Sequence, residues 1–201
     1  MSELEILDWE GLSPFYYEGL VKKTEINDGS CFFHCIADSF YRKYQLGQVN
    51  RKEFVKNLRK DLSKNLSVAV YEKLSRGQLK NFRIPGYSLL DFKKILDSNE
   101  YVDNRFNEYI SNVIDKDIYI IDYEKKDVYI TGSYNDVGGI LYKNRDSIVI
   151  IWINGNHYDL AGVLEGKKLI TLFQYNHPFI ETIRQSMNKK SLNITDKIKG
   201  V

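Results

Sequence analysis

A chain of 201 residues can bury a core of its own without disulfide or metal staples, and it is read as one domain over residues 1–201. Hydrophobic residues make up 43% and charged residues 28%, the balance of a soluble globular protein, and no apolar run reaches the roughly 20 residues of a membrane span, so no membrane partner is expected. Lys and Arg exceed Asp and Glu by only 29 to 27, with no basic block and no basic stripe interleaved with aromatics, which argues against nucleic acid as a partner.

The start, Met1-Ser2-Glu3-Leu4-Glu5, is acidic where a secretory signal is basic, and no apolar stretch follows, so a cytoplasmic protein is expected. Cys31 and Cys35 are too few and too close for a disulfide framework and fit a reducing compartment. There the sequon Asn193-Ile194-Thr195 has no use. The wealth of Tyr, Asn, Ile and Lys fits an AT-rich genome, as in large DNA viruses, for which the location becomes the host cell cytoplasm.

In chain order, residues 1–23 carry Trp9, Phe15, Tyr16 and Tyr17 without periodicity and read as a lead-in segment packed on the surface. From Gly29 to Tyr44, apolar Phe32, Phe33, Ile36, Phe40 and Tyr44 recur at helical spacing, so a helix starts at the Asp28-Gly29-Ser30 turn. Asn50, with Glu53 three residues on, caps a second helix through Phe54, Leu58, Leu62 and Leu66, with Tyr71 and Leu74 as its continuation. Ile84-Pro85-Gly86 breaks the chain; Ser88 and Asp91 open a third helix with Leu89, Phe92 and Leu96, and residues 106–114 form a fourth.

After Ile114 the pattern changes. Asp117 to Asp122 and Asp127 to Thr131 read as paired strands, and the apolar run 147–153 as a central strand buried on both faces. Asn154-Gly155 suits a tight hairpin turn that returns residues 157–161 as an antiparallel strand. Residues 163–187 form a C-terminal extension and 188–201 a solvated tail. Helices followed by strands make an α+β domain.

The chemistry concentrates in Asn27-Asp28-Gly29-Ser30-Cys31-Phe32-Phe33, a polar turn that delivers a cysteine to the first turn of an apolar helix. Free amides and the positive end of a helix favour thiolate, which predicts a Cys31 pKa below its ordinary value of about 8.5, and the same amides can hold an oxyanion. A thiolate needs a base, and among His34, His157 and His177 it is His157 that follows the Asn154-Gly155 turn. Alternation puts Asp159 on the same face, about 6–7 Å along the strand, within reach of one imidazole nitrogen, with Tyr158 on the opposite face. Asn154 or Asn156 could orient the imidazole instead, or Cys31 and His157 could act as a dyad. Cys35 reads as a core residue, and a zinc site from Cys31, His34, Cys35 and His157 lacks the usual ligand spacing.

Asp28-Gly29-Ser30-Cys31-Phe32-Phe33 resembles the nucleophile motif of the ovarian tumour (OTU) cysteine proteases, and Trp152 through His157-Tyr158-Asp159 resembles their histidine motif. The resemblance spans about residues 24–162, with only its two ends specific to the motifs. It implies a papain-like OTU fold, a small, mostly antiparallel sheet flanked by helices, that hydrolyses the isopeptide bond after the C-terminal glycine of ubiquitin. It implies Cys31 as nucleophile, His157 as base, Asp159 as orienting acid, and an oxyanion loop of Asp28, Gly29 and the Cys31 amide. No cofactor or metal is called for; the partner is ubiquitin or polyubiquitin, or another ubiquitin-like modifier.

A narrow channel for a Gly-Gly tail is expected between the Asp28 loop and the 154–156 turn, with Asn154, Gly155, Asn156 and Trp152 as lining residues and the segment 132–146, with Gly132, Gly138 and Gly139, as a loop beside it. His34 departs from the pattern, since many members carry Arg or a small residue there; set about 300° around the helix from Cys31, it is expected to matter little. Two other readings stand beside the enzyme: a module that binds ubiquitin without cutting it, and a thiol hydrolase of another modifier or acyl substrate.

Overall fold

The computed structural model describes residues 4–7, 17–74, 88–102, 106–124, 127–131, 133–134, 140–141 and 144–186. Trp9, Phe15 and Tyr16, the Ile84-Pro85-Gly86 loop, Gly132, Gly138 and Gly139 of the channel loop, and the tail with its sequon lie outside the described residues.

In chain order the elements are β1 (Leu4–Ile6), β2 (Leu20–Lys23), α1 (Cys31–Phe40), α2 (Arg42–Gln45), α3 (Arg51–Asn65), α4 (Val68–Leu74), α5 (Leu89–Leu96), α6 (Asn107–Ile114), β3 (Asp117–Asp122), β4 (Asp127–Thr131), β5 (Ser133–Tyr134), β6 (Ile140–Leu141), β7 (Ser147–Ile153), β8 (His157–Glu165) and β9 (Lys168–Ile170), followed by α7 over residues 178–186. Helix starts follow cap chemistry: the Asn50 side chain accepts the Glu53 amide, and Ser88 and Asp91 make a reciprocal capping box. Among the described residues no helix is long and apolar enough to cross a membrane.

Two expected helices are divided. The run from Gly29 to Tyr44 breaks at Tyr41, whose backbone is extended (ψ 99°). The carbonyls that would continue α1 have found other donors: Gln45 Nε2 donates to Asp38 O at 2.7 Å and to Ser39 O at 3.1 Å, and Thr171 Oγ1 donates to Ser39 O at 2.9 Å. Tyr71 and Leu74 lie on a separate helix, which starts where the Ser67 hydroxyl accepts the Val70 amide at 3.2 Å.

The main sheet has the order β1-β2-β8-β7-β3-β4, with β9 paired to β8. Only β3 and β7 run parallel among its pairs, so the sheet is mixed but mostly antiparallel. Strand alternation divides its apolar residues between two layers. Ile118, Ile120, Ile148, Ile150, Tyr158 and Leu160 face the layer that holds Phe32, Phe33 and Ile36 of α1, Val55 and Leu62 of α3, and Leu96 of α5. Tyr119, Ile121, Val149, Ile151, Ala161 and Val163 face Phe173 and the α7 residues Phe179, Ile180 and Ile183. The run 147–153 is central, as its unbroken apolarity predicts.

The flanks join the sheet and its core. Instead of a lead-in packed on the surface, residues 4–6 and 20–23 are strands, and β2 pairs β8 from Leu20↔Val163 to Lys23↔Leu160. Three and four residues are too few for a legible alternation, and the partners of β2, from Leu20↔Val163 to Lys23↔Leu160, lie far along the chain. Of the residues 163–187 read as an extension, the described ones, 163–186, complete β8, add β9 and cover the second sheet face.

Candidate active site

Beyond Lys23 the strand β2 leaves the edge of β8, and the chain runs through residues 24–30 into α1. This is where Cys31 sits. The turn depends on Gly29, whose φ is +78°; a Cβ there would lie 2.1 Å from the carbonyl oxygen of Asn99. Asp28 Oδ1 accepts the Ser30 amide at 3.1 Å and closes the turn. Ser30 stands at the N-cap of α1 without capping it. Its hydroxyl instead accepts Arg59 Nη1 at 2.8 Å, which leaves the first amides of the helix to the sulfur.

Amides of Tyr158, Phe32 and Cys31 itself all stabilise the Cys31 thiolate, yet burial outweighs them, and with help from the Asp28 charge it raises the thiol above its ordinary value. The expected depression is therefore reversed in the free protein. The helix terminus acts as predicted, but Cys31 is 1% exposed, and desolvation of the anion is the larger effect.

On β8, His157 Nε2 lies 2.8 Å from Asp159 Oδ1. Asp159 is held from two further directions, by the Glu25 amide at 2.9 Å to Oδ1 and by Lys22 Nζ at 3.6 Å from Oδ2. With Nε2 committed, His157 Nδ1 is buried and has no hydrogen-bond partner among the described residues. Asn154 and Asn156, the alternatives for orienting the ring, are exposed in the hairpin turn, where Asn154 and Gly155 take φ of 51° and 72°. Tyr158 faces the other way, edge-on to Phe32 at 5.4 Å. Half-buried Trp152 stacks on Tyr158 at 6.5 Å, and Tyr101 stacks parallel to Tyr158 at 5.4 Å.

Three groups around the turn escaped the sequence reading. His34 is fully buried, with Nε2 3.3 Å from Asp28 Oδ2 and Nδ1 hydrogen-bonded to the Tyr44 hydroxyl. The expectation that it matters little is wrong, because about 300° around a helix is about 60° by the short way, beside Cys31 rather than away from it. Burial lowers the His34 pKa, which favours a neutral ring that donates from Nε2 to Asp28 and accepts from Tyr44.

Arg59 of α3 is also buried, and it donates to Ser30 Oγ and to the carbonyls of Gly29, Ile95, Leu96 and Glu100. Behind Asp159, burial and the neighbouring Asp38 push the Glu25 carboxyl up to about 9, against the pull of Lys23 and Arg51. A buried His, Arg and Glu in a sequence are the available signal, but nothing in their spacing names their partners. Cys35 is fully buried and its thiol is pushed well up by desolvation.

Chemically, a thiol at an amide-rich helix end, an imidazole aligned by a carboxylate, and a turn shaped by Asp28 and Gly29 suit attack on a carbonyl carbon.

No protein-family profile matches the chain, and no curated protein is a significant match. Solved structures do resemble it. An ovarian tumour (OTU) domain solved in complex with ubiquitin is 22% identical, with 82% of this chain and 80% of that chain covered and a TM-score of 0.54. The OTU domain of OTUD1 is 15% identical over 71% of this chain and 85% of its own, at a TM-score of 0.48. The Hazara virus OTU bound to ubiquitin is 13% identical over 73% and 82%, at 0.46. With the first of these likenesses and the layers described above, the chain has the α+β, papain-like fold of the OTU domains.

Proposed function

We propose that the chain is a cysteine isopeptidase that hydrolyses the bond after the C-terminal glycine of ubiquitin. The observation that carries the reading is the His157 ring, fixed through Nε2 by Asp159 at 2.8 Å with Nδ1 buried and unpartnered among the described residues, on a strand whose next amide, that of Tyr158, favours the Cys31 thiolate. Ubiquitin enters because the OTU domain of similar fold was solved in complex with it.

The steps follow from the groups present. His157 Nδ1 takes the Cys31 proton as the sulfur attacks the glycine carbonyl; the C–S bond forms and the π pair moves to oxygen, which the Cys31 amide at the end of the 28–31 turn receives. The C–N bond then breaks, the lysine amine leaving with the proton from His157. Water, deprotonated by the same nitrogen, cleaves the thioester and returns ubiquitin with a free carboxylate and the Cys31 thiol. Because burial favours the thiol, thiolate is generated on attack rather than stored. A Gly-Gly tail has no side chains to clash with the aromatic wall of Trp152, Tyr158 and Tyr101 or with the 154–156 turn.

Hydrolysis of ubiquitin carrying a fluorogenic amine on its C-terminal glycine tests the reading: Cys31→Ala is expected to lower turnover by about 10⁴-fold. Appreciable cleavage by that variant would remove Cys31 from its role. The burial of Cys31 favours one other reading, a module that binds ubiquitin without cutting it; wild type that binds ubiquitin with no turnover would establish it.

A further inference from the structure

Arg59 is 1% exposed and no carboxylate among the described residues touches its guanidinium, an expensive placement for a charge that a fold keeps only where the group is fully satisfied. It is. A guanidinium has five N–H bonds, and all five are used: Nε on Leu96 O at 3.1 Å, Nη1 on Ser30 Oγ at 2.8 Å and Gly29 O at 3.5 Å, Nη2 on Ile95 O at 2.6 Å and Glu100 O at 2.8 Å. Its plane also lies 4.6 Å over the Phe33 ring of α1. Burial brings the group down to about 10, which keeps it protonated at neutral pH.

The acceptors fall into two sets. Ile95, Leu96 and Glu100 belong to the negative end of α5 and the turn after it; Gly29 and Ser30 belong to the turn that precedes Cys31. Between the sets the chain already touches itself, since Gly29 leaves no room for a Cβ against Asn99 O. One side chain thus joins the end of α5 to the two residues that lead directly into Cys31. It also draws off the Ser30 hydroxyl, which as an N-cap would otherwise accept the Phe32 or Phe33 amide, the first of which stabilises the Cys31 thiolate.

We propose that Arg59 is a positioning residue for the nucleophile turn, its five-donor fork setting where the amides of Cys31 and Phe32 aim. The inference rests on the isopeptidase reading for its kinetic consequence, not for its structural one. Lysine keeps the charge but has three donors on a point-like head and cannot span both sets.

In the full chain, Arg59→Lys is expected to lower kcat for the ubiquitin amide about 10–100-fold while KM changes less than about 3-fold, as for a small displacement of a preorganised site. Hydrogen exchange, which needs no substrate, should accelerate in the amides of residues 28–32 and stay at the wild-type rate in residues 33–40, whereas a general loss of stability would move both. If Arg59→Lys does not fold, Ser30→Ala takes its place, removing the 2.8 Å contact without removing a helix cap; its kcat is expected to fall about 3–10-fold with the same local exchange.

Folded Arg59→Lys or Ser30→Ala with wild-type kcat, alongside active wild type, overturns the inference. An inactive wild type whose variants still loosen only residues 28–32 sinks the isopeptidase reading and leaves the placement of Arg59 standing.

Discussion

Asp159 does two jobs with one oxygen: Oδ1 meets both His157 Nε2 and the Glu25 amide, while Oδ2 faces Lys22. Asp159→Asn keeps the volume but places an amide where three donors converge, so one of them loses its acceptor. Turnover of the ubiquitin amide is expected to fall about 10–100-fold with the fold retained; an unchanged rate would move the orienting role elsewhere. At Gly29, substitution by alanine meets both a positive φ and the 2.1 Å approach to Asn99 O, and the neighbour is backbone. A strain of about 1–3 kcal/mol or more is expected, visible as a lower urea midpoint. The placement of Cys31 at a helix start and the contact of His157 with Asp159 were legible because each is local: a helix terminus after a turn, and two residues on one strand face. Arg59 and Glu25 were not, since each meets its partners through the tertiary fold, Arg59 across 29 to 41 positions, whereas His34 lies six positions from Asp28 and its side of the helix follows from the helical angle alone.

At the scale of elements, β7 and β8 anchor the site: the hairpin that sets His157 against Asp159 is pinned by pairs from Ile150↔Leu160 to Ile153↔His157. Ile150 is fully buried in the layer shared with α1, so Ile150→Ala is expected to cost about 2–5 kcal/mol in chemical unfolding, mostly as cavity and lost contact. A cost under about 1 kcal/mol would mean that the layer is loosely packed. The long periodic helices and the 147–153 strand could be read because each carries several turns or alternations of pattern. The division at Tyr41 could not, since it depends on Gln45 and on Thr171, which lies 132 positions from Ser39. Nor could the parallel pairing of β3 with β7, because an apolar run states that a strand is buried without stating its neighbour's direction.

For the whole molecule, the raised Glu25 carboxyl links stability to pH. Folded, it holds its proton from its ordinary value of 4.5 up to about 9; unfolded, it has lost that proton. Unfolding therefore releases a proton in this window, and the group's contribution to stability, complete below 4.5, declines as pH rises toward 9. Glu25→Gln, neutral at every pH, should raise the urea midpoint over wild type most near pH 8–9 and hardly at all near pH 4.5. A difference independent of pH would show that Glu25 is ionised in the fold. A carboxyl buried in its neutral form behind the site is invisible in a balance of 29 basic to 27 acidic residues.

The most direct test of the central claim is to mix wild type and Cys31→Ala with ubiquitin carrying a thiol-reactive group in place of its C-terminal carboxylate, and to weigh the intact products. One ubiquitin added to wild type and none to Cys31→Ala is the predicted result. No adduct with either protein, or an adduct with both, would contradict the assignment of Cys31 as a nucleophile directed at ubiquitin.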